Sequence, residues 1–304
     1  MLYEASLAFA RKLDETDPLR DFRGRFHLPQ QENGQPYLYF CGNSLGLQPK
    51  TVRPYLEREL EDWAMLGVEG HFHARNPWMP YHEYLTPAMA AVVGGQENEV
   101  VVMNGLTVNL HLMMVSFYRP TPSRYKILVE GDAFPSDLYA VSSQLAYHGY
   151  DPAEALIKLK PRPGEHTLRT EDIETVLAAE GHQIALVLLG GVNYYTGQFF
   201  EIERLTQAAQ RAGALVGIDL AHAVGNVPLQ LHDWGVDFAC WCSYKYLNSG
   251  PGGVSGCFVH ERHVRRTDLL RFAGWWGHDK ASRFAMEPDF VPIPTAEGWQ
   301  LSNA

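Results

Sequence analysis

Short apolar runs of strand length alternate with stretches of helical periodicity from about residue 98 to residue 260. This alternation is typical of an α/β fold, in which a mainly parallel mixed sheet carries helices on both faces. The predicted strands are 126–130, 184–189, 214–219, 237–242 and 254–259. The predicted helices are 51–66, 106–117, 136–147, 170–179 and 201–212, and the first has an apolar stripe of Val52, Leu56, Leu60 and Trp63.

The pattern changes after residue 260, where an aromatic segment at 274–278 and a proline-spaced segment at 291–295 follow. We therefore predict a large domain over residues 51–285. Residues 1–50 would contribute to a smaller domain, and residues 286–304 would begin its C-terminal part. The remainder of that domain would lie outside this sequence, so the small domain is expected to be only partly present.

Composition narrows the class of protein. A chain of 304 residues with 46% hydrophobic residues can bury a large core. The net charge of -10 argues against a nucleic-acid partner, because such proteins normally present a basic face. The first residues lack the apolar core of a signal peptide and the length of a membrane helix, so we expect a cytoplasmic protein without a membrane partner.

A metal site is not expected from the spacing of the thirteen histidines, since no pair has the separation of a common zinc motif. His71 and His73 could be ligands only with a third residue. The four cysteines stand in apolar contexts or beside glycine, and we interpret them as reduced core residues: Cys41, Cys240, Cys242 and Cys257.

Asp219 ends one predicted buried strand, and Lys245, 26 positions later, follows another. Ligands bind at the carboxyl edge of an open α/β sheet, where both side chains would lie. Pyridoxal phosphate requires this pair: a lysine attaches the cofactor through a Schiff base, and a carboxylate keeps the pyridine nitrogen protonated. A single Asp or Lys is more often a helix cap or a surface charge, but His222 and the glycines after Lys245 favour the cofactor.

Two further segments suit the same cofactor. Leu106 and Thr107 follow a glycine at a predicted helix N-terminus, where amides bind phosphate. Plain helix capping would use the same residues. Phe134 and Asp137 follow the strand 126–130, so the aromatic ring could cover one face of the cofactor. The alternative is that Phe134 belongs to the core and Asp137 to the first turn of a helix.

Several motifs together resemble the kynureninase family, whose members have the fold type I architecture of pyridoxal-phosphate enzymes. The matching strings run through nearly the whole chain: YFCGNSLGLQPK (39–50), MNGLTVNLH (103–111), AFPSD (133–137), NYYTGQ (193–198), DLAHAVGNVPL (219–229), SYKYLNSGPGG (243–253), GWWGH (274–278) and the terminal LSNA. The first and fifth strings are far more specific than a generic cofactor motif.

The resemblance implies roles for individual residues. Lys245, Asp219 and Tyr244 would be catalytic, with Tyr244 also binding the phosphate and relaying a proton. The cofactor-binding set would be Leu106, Thr107, Phe134, Asp137, Asp219, His222, Tyr244, Lys245, Trp275 and Asn303. Trp275 would reach the site from the neighbouring subunit of a homodimer. Ser44, His71 and Asn303 would face the substrate.

The family's reaction is the hydrolysis of L-kynurenine or 3-hydroxy-L-kynurenine to anthranilate or 3-hydroxyanthranilate plus L-alanine. It belongs to tryptophan catabolism by the kynurenine pathway, which feeds NAD biosynthesis. His71, Ser302 and Asn303 resemble the set of animal-type members, which favour the hydroxylated substrate. We therefore expect a preference for 3-hydroxykynurenine.

Two departures from the family pattern stand out. Gly190 occupies a position where many animal-type relatives carry a serine near the cofactor. Family members also continue beyond the LSN motif, and that region supplies the arginine that binds the substrate carboxylate. We expect a chain ending at Ala304 to bind substrate less tightly. Two rival interpretations remain: a cysteine desulfurase or another class V enzyme, and a cofactor-binding protein that has lost turnover.

Overall fold

A computed structural model describes residues 3–303 of the chain. The chain divides into two compact units, Met1–Met79 and Pro80–Ala304. The second unit contains the whole alternating region of the sequence. The domain boundaries predicted after residues 50 and 285 stay a prediction.

The second unit is built on a seven-stranded sheet with the order β1-β7-β6-β5-β4-β2-β3. Its strands are β1 Val100–Val102, β2 Lys126–Glu130, β3 Leu156–Leu159, β4 Ile184–Gly190, β5 Leu215–Asp219, β6 Phe238–Trp241 and β7 Gly256–Val259. Strand β7 runs antiparallel to both of its neighbours, whereas β3, β2, β4, β5 and β6 pair in parallel. The predicted mainly parallel mixed sheet is confirmed.

All five predicted strands form, and the sequence missed β1 and β3. Both are short, with three and four residues. In β3, Lys158 interrupts the apolar run because its side chain points to solvent. Apolar runs of this length also occur in buried helices, so periodicity alone cannot identify them as strands.

The helices of the described residues are α1 Leu7–Thr16, α2 Val52–Leu66, α3 Gly70–His73, α4 Thr86–Val93, α5 Leu106–Phe117, α6 Pro135–Tyr147, α7 Pro152–Ala155, α8 Thr170–Glu180, α9 Ile202–Arg211 and α10 Glu261–Val264. Short 3-10 turns lie at Arg20–Arg25, Gly67–Glu69, Glu83–Leu85, Glu97–Glu99, Gly181–Gln183, Trp275–Gly277, Arg283–Ala285 and Ala296–Trp299. None of the helices in this part of the chain combines the length and apolar character needed to span a bilayer.

Two hydrophobic cores cover the two faces of the sheet. In β6, Phe238 and Cys240 join one core, whereas Ala239 and Trp241 join the other. Side chains alternate in this way because successive residues of a strand point to opposite faces. Helices α5 and α6 pack in the first core and α8 and α9 in the second. The sheet is therefore covered on both faces, as predicted.

The first unit has few buried side chains. The apolar stripe predicted on α2 is exposed: Leu56, Leu60 and Trp63 have exposures of 58%, 60% and 66%. The helix is instead held by Asp62, whose carboxylate accepts hydrogen bonds from the backbone N and Nε of Arg75, both at 2.8 Å. The Arg75 guanidinium holds the pKa of Asp62 below its usual value.

Candidate active site

Three strands of the sheet end at one edge, and each brings a residue to it. Strand β5 ends at Asp219, its parallel neighbour β4 ends at Gly190, which pairs with Asp219, and β2 ends at Glu130. Asp219 is 7% exposed, and its Oδ1 accepts the backbone N–H of Ala221 at 2.6 Å. The tertiary structure therefore places a buried carboxylate where open α/β sheets bind ligands.

Lys245 lies on the loop after β6, and its Nζ is 2.9 Å from Nε2 of His222. The loop is fixed by Ser243, whose Oγ donates to the carbonyl of Val254 at 2.6 Å. Burial lowers the pKa of His222, and the nearby Lys245 ammonium lowers it further. A neutral imidazole can accept a hydrogen bond from the lysine, so this pair orients Nζ.

Asp137 and Glu130 add two buried carboxylates near Asp219. Burial raises the pKa of Asp137, and the negative charge of Asp219 raises it further. Burial also raises the pKa of Glu130, against the opposing hydrogen bond from Asn193. This excess of buried acid groups suits a ligand with a cationic group, and a protonated pyridine nitrogen provides one.

The N-terminus of α5 faces open space at Gly105, since a Cβ built there meets nothing within 4 Å. The first helical hydrogen bond runs from the N–H of Asn109 to the carbonyl of Gly105, so the amides of Leu106 and Thr107 precede it. Oγ1 of Thr107 lies 3.0 Å from Oγ of Ser136. Free amides and paired hydroxyls fit a phosphate. Ser136 was missed as a site residue, although the AFPSD string contains it.

An aromatic wall is formed by Phe134 and Tyr194. Their ring centroids are 5.3 Å apart with an edge-to-face angle of 86°, and Tyr194 is 6.4 Å from the His222 ring. Phe134 is 51% exposed, so the alternative that it belongs to the core is wrong. Tyr194 was missed as a site residue, because only contact across the fold distinguishes it from the adjacent tyrosine.

Tyr244 packs beside the lysine that follows it, with Lys245 Nζ 5.9 Å from its ring centroid. Burial raises the pKa of Tyr244.

Trp275 is 40% exposed, and its Nε1 donates to the carbonyl of Arg283 at 3.1 Å. Asn303 is exposed, and its carbonyl accepts the hydroxyl of Ser302 at 3.2 Å. Within the described residues, neither Trp275 nor Asn303 joins the group formed by Lys245, His222 and Asp219.

Ser44 and His71 belong to the first unit. The backbone N–H of Ser44 donates to the carbonyl of Cys41 at 2.9 Å. Nδ1 of His71 lies 2.9 Å from the carbonyl of Val68, and its ring is 5.5 Å from that of Trp78. The substrate contacts expected for these residues stay a prediction.

One of the four cysteines, which were all expected in the core, is not buried. Cys41 is exposed, whereas Cys240, Cys242 and Cys257 are buried. The glycine beside Cys41 does not indicate close packing, because it lies in an open turn with nothing near its Cβ position. The Sγ atoms of Cys240 and Cys257 are 3.4 Å apart on adjacent strands, without a disulfide.

Two groups of His and Glu side chains come together that no sequence spacing indicated. Glu99 Oε1 is 2.9 Å from His232 Nδ1 and accepts the N–H of Glu261, while the rings of His232 and His260 stack at 5.0 Å. Oε1 of Glu99 therefore already has hydrogen-bond partners within the protein. In the second group, His82, Glu83 and Glu297, the carboxylates already bind the ammonium of Lys280. We propose a metal for neither.

Comparison with known proteins identifies relatives along the whole chain. The family model for aminotransferase class V matches residues 38–276. The kynureninase of Myxococcus xanthus is 61% identical over 99% of this chain, which spans 71% of that protein. The kynureninase of Koribacter versatilis is 60% identical with the same two coverages, and that of Nematostella vectensis is 54% identical over 98% of this chain and 66% of its own.

Solved structures share the fold at low sequence identity. A mutant of C-DES with glycine covalently linked to its pyridoxal-phosphate cofactor gives a TM-score of 0.72 at 18% identity, over 94% of this chain and 70% of that one. The apo cysteine desulfurase of Thermococcus onnurineus gives 0.67 at 19% identity, over 99% and 68%. Identities this low support the architecture and leave the choice of reaction to the kynureninase relatives.

Proposed function

The chain belongs to the kynureninase family, within aminotransferase class V, and from that membership we propose how its residues divide the reaction among them. The enzyme is a pyridoxal-phosphate-dependent hydrolase. It cleaves the Cβ–Cγ bond of L-kynurenine or its 3-hydroxy derivative, giving anthranilate or 3-hydroxyanthranilate and L-alanine.

The bound cofactor supplies an electron sink for the charge that develops at the substrate Cα. Asp219 would hold the proton on the pyridine nitrogen, because its carboxylate is buried at the end of β5 and has no basic partner of its own among the described ion pairs. Asp137 stays protonated beside it and offers a hydrogen-bond donor instead of a second charge. The two side chains thus present one net negative charge to one cation.

Lys245 acts at Nζ in two ways. It would hold the cofactor at rest, and during the reaction its Nζ would take the proton from the substrate Cα. His222 is the positioning residue for these roles, since its neutral Nε2 lies 2.9 Å from Nζ. A base fixed in this way needs no reorganisation when the proton moves.

The remaining cofactor contacts follow from the site geometry and the family resemblance. The amides of Leu106 and Thr107, with the hydroxyls of Thr107 and Ser136, would bind the phosphate. Tyr244 would join them and pass a proton during turnover. Phe134 would cover one face of the ring and exclude water from it.

We propose 3-hydroxykynurenine as the preferred substrate. His71 and Asn303 each offer a hydrogen-bonding group, and a site built for a ring hydroxyl penalises an analogue that lacks it. Ser44 would bind near the same ring. We also propose a homodimer in which Trp275 serves the neighbouring site, and a cytoplasmic location.

The single observation that carries the residue assignments is the Lys245–His222 pair beside Asp219 at one strand edge. The test supplies the purified protein with pyridoxal phosphate and measures anthranilate fluorescence from L-kynurenine, with L-cysteine as the alternative substrate. Asp219→Ala should lower turnover by several orders of magnitude, about what loss of an electron sink costs. Unchanged turnover in Asp219→Ala would remove that role, and sulfide from cysteine without anthranilate would point to a desulfurase.

A further inference from the structure

Glu130 is a buried carboxylate at the end of β2, with 5% of its surface exposed. Within residues 3–303 it takes part in none of the ion pairs. Its Oε1 accepts the N–H of Gly190 at 3.3 Å, and its Oε2 accepts Nδ2 of Asn193 at 2.9 Å. Burying a carboxylate without a cation is unfavourable, so those two hydrogen bonds must be what holds it there.

Asn193 connects Glu130 to the loop that follows β4. While its Nδ2 donates to Glu130, its Oδ1 accepts the backbone N–H groups of Tyr195 and Thr196, both at 2.9 Å, and the hydroxyl of Thr196 at 3.1 Å. Tyr195 is 84% exposed, and its backbone N–H is bonded to this side chain. One side chain therefore fixes the shape of the loop 193–198 against the edge of the sheet.

Both rings of the aromatic wall lie on segments that begin at Glu130 or Asn193. Tyr194 directly follows Asn193, and Phe134 lies on the segment that begins at Glu130. Their rings meet edge to face at 5.3 Å, and Tyr194 also lies beside His222. A change in the distance between Glu130 and Asn193 would shift the two rings relative to each other.

We propose that Glu130 and Asn193 are positioning residues that set the aromatic wall against the cofactor ring. This inference rests on the proposed place of the cofactor at Asp219 and Lys245. It also gives a reason for glycine at position 190: a Cβ there would come within 2.6 Å of Oε1 of Glu130. Where relatives carry a serine, the carboxylate would have to take another position.

The hydrogen bonds allow a reversal test. Asn193→Asp removes the amide donor to Glu130 and places a second acidic group at the distance now spanned by that hydrogen bond. In Glu130→Gln, the new side-chain oxygen can still accept the N–H of Gly190. The new side-chain NH2 group then faces the NH2 group of Asn193, and two donors cannot form a hydrogen bond. In the double variant Glu130→Gln/Asn193→Asp, the new amide at position 130 can donate to the new carboxylate at position 193, which still accepts the loop amides. The same contact is restored with its direction reversed. Glu154→Gln, on the exposed surface of α7, is the matched control.

Two readouts separate this inference from turnover. Amide hydrogen exchange of Tyr195 and Thr196 is measured in the cofactor-free protein. The dissociation constant and absorption spectrum of pyridoxal phosphate are then measured by titration. Each single variant should lose the amide protection and bind the cofactor about tenfold or more weakly, as loss of a charged hydrogen bond implies. The double variant should recover both to within about threefold of wild type, which is the coupling that a contacting pair shows.

Single variants that keep wild-type protection and affinity would overturn the proposal. So would a double variant whose losses equal the sum of the single ones, because the pair would then not be coupled. If protection is lost while cofactor affinity and spectrum are unchanged, the pair shapes the loop but does not position the wall. Wild-type turnover of kynurenine is measured separately, so failure of the proposed function would be recognised by itself.

Discussion

Nζ of Lys245 and Nε2 of His222 lie 2.9 Å apart, although the two residues are 23 positions apart in the chain. Burial and the lysine charge both lower the pKa of the imidazole, which favours its neutral form. It can therefore accept a hydrogen bond from Nζ without competing for a proton. The lysine is oriented toward the strand edge where Asp219 lies.

Lys245→Ala should abolish both turnover and covalent attachment of the cofactor, because the cluster holds no second amine. The measurement is intact mass after borohydride reduction of the protein incubated with pyridoxal phosphate. Wild type should gain the mass of the reduced cofactor, and Lys158→Ala, at an exposed position of β3, should behave like wild type. Trapping at another lysine in Lys245→Ala would show that the assignment is wrong.

Asp137 should make the stability of the cofactor-free protein depend on pH. Its pKa is raised in the folded state by burial and by Asp219, whereas an unfolded aspartate titrates near 4. Between those two values the folded protein holds a proton that the unfolded chain has released. The free energy of unfolding therefore falls as the pH rises through this window.

Asp137→Asn keeps the size of the protonated side chain but cannot ionise. Urea unfolding at pH 5 and pH 8 should show that the variant loses less stability than wild type, by roughly 1 kcal/mol or more. Asp14→Asn, at an exposed position of α1, is the control and should follow wild type. Parallel pH dependences for wild type and Asp137→Asn would contradict the buried, protonated state.

The substrate preference should depend on His71 and Asn303. We expect kcat/KM for 3-hydroxykynurenine to exceed that for kynurenine by about tenfold or more in wild type, since an unpaired polar site penalises the analogue without the hydroxyl. The combined variant His71→Trp/Asn303→Thr should lower this ratio while it retains activity on kynurenine. Equal values in wild type, or a ratio that the variant leaves unaltered, would mean that neither residue recognises the hydroxyl.

If Trp275 serves the neighbouring subunit, two inactive proteins should restore each other. Lys245→Ala and Trp275→Ala subunits are unfolded together and refolded as a mixture. Random pairing gives mixed dimers in which one of two sites has both native residues, so about a quarter of wild-type activity should return. Each variant refolded alone is the control. A dimeric mixture without recovered activity would place Trp275 within its own subunit's structure.

The sequence by itself determined the α/β class, five strands and the helices that cover both faces of the sheet. Those features depend on local periodicity, which the burial of each strand and helix imposes on neighbouring residues. It also predicted Asp219 and Lys245 as site residues, because Asp219 ends one apolar strand and Lys245 lies on the loop after another. Membership of the kynureninase family was equally readable from long strings such as GNSLGLQPK, which no generic motif reproduces.

Only the tertiary structure decided which side chains meet. The Thr107–Ser136 hydroxyl pair, the wall of Phe134 and Tyr194, and the Glu130–Asn193 contact each join segments that are 29 to 63 residues apart or lie on different strand ends. The order of the strands in the sheet determines which of these side chains come into contact. For example, β2 and β4 are neighbours in the sheet although β3 comes between them in sequence. The exposed stripe of α2 shows the same limit. Periodicity identifies an apolar face, but the partner that would cover it is not encoded in that pattern.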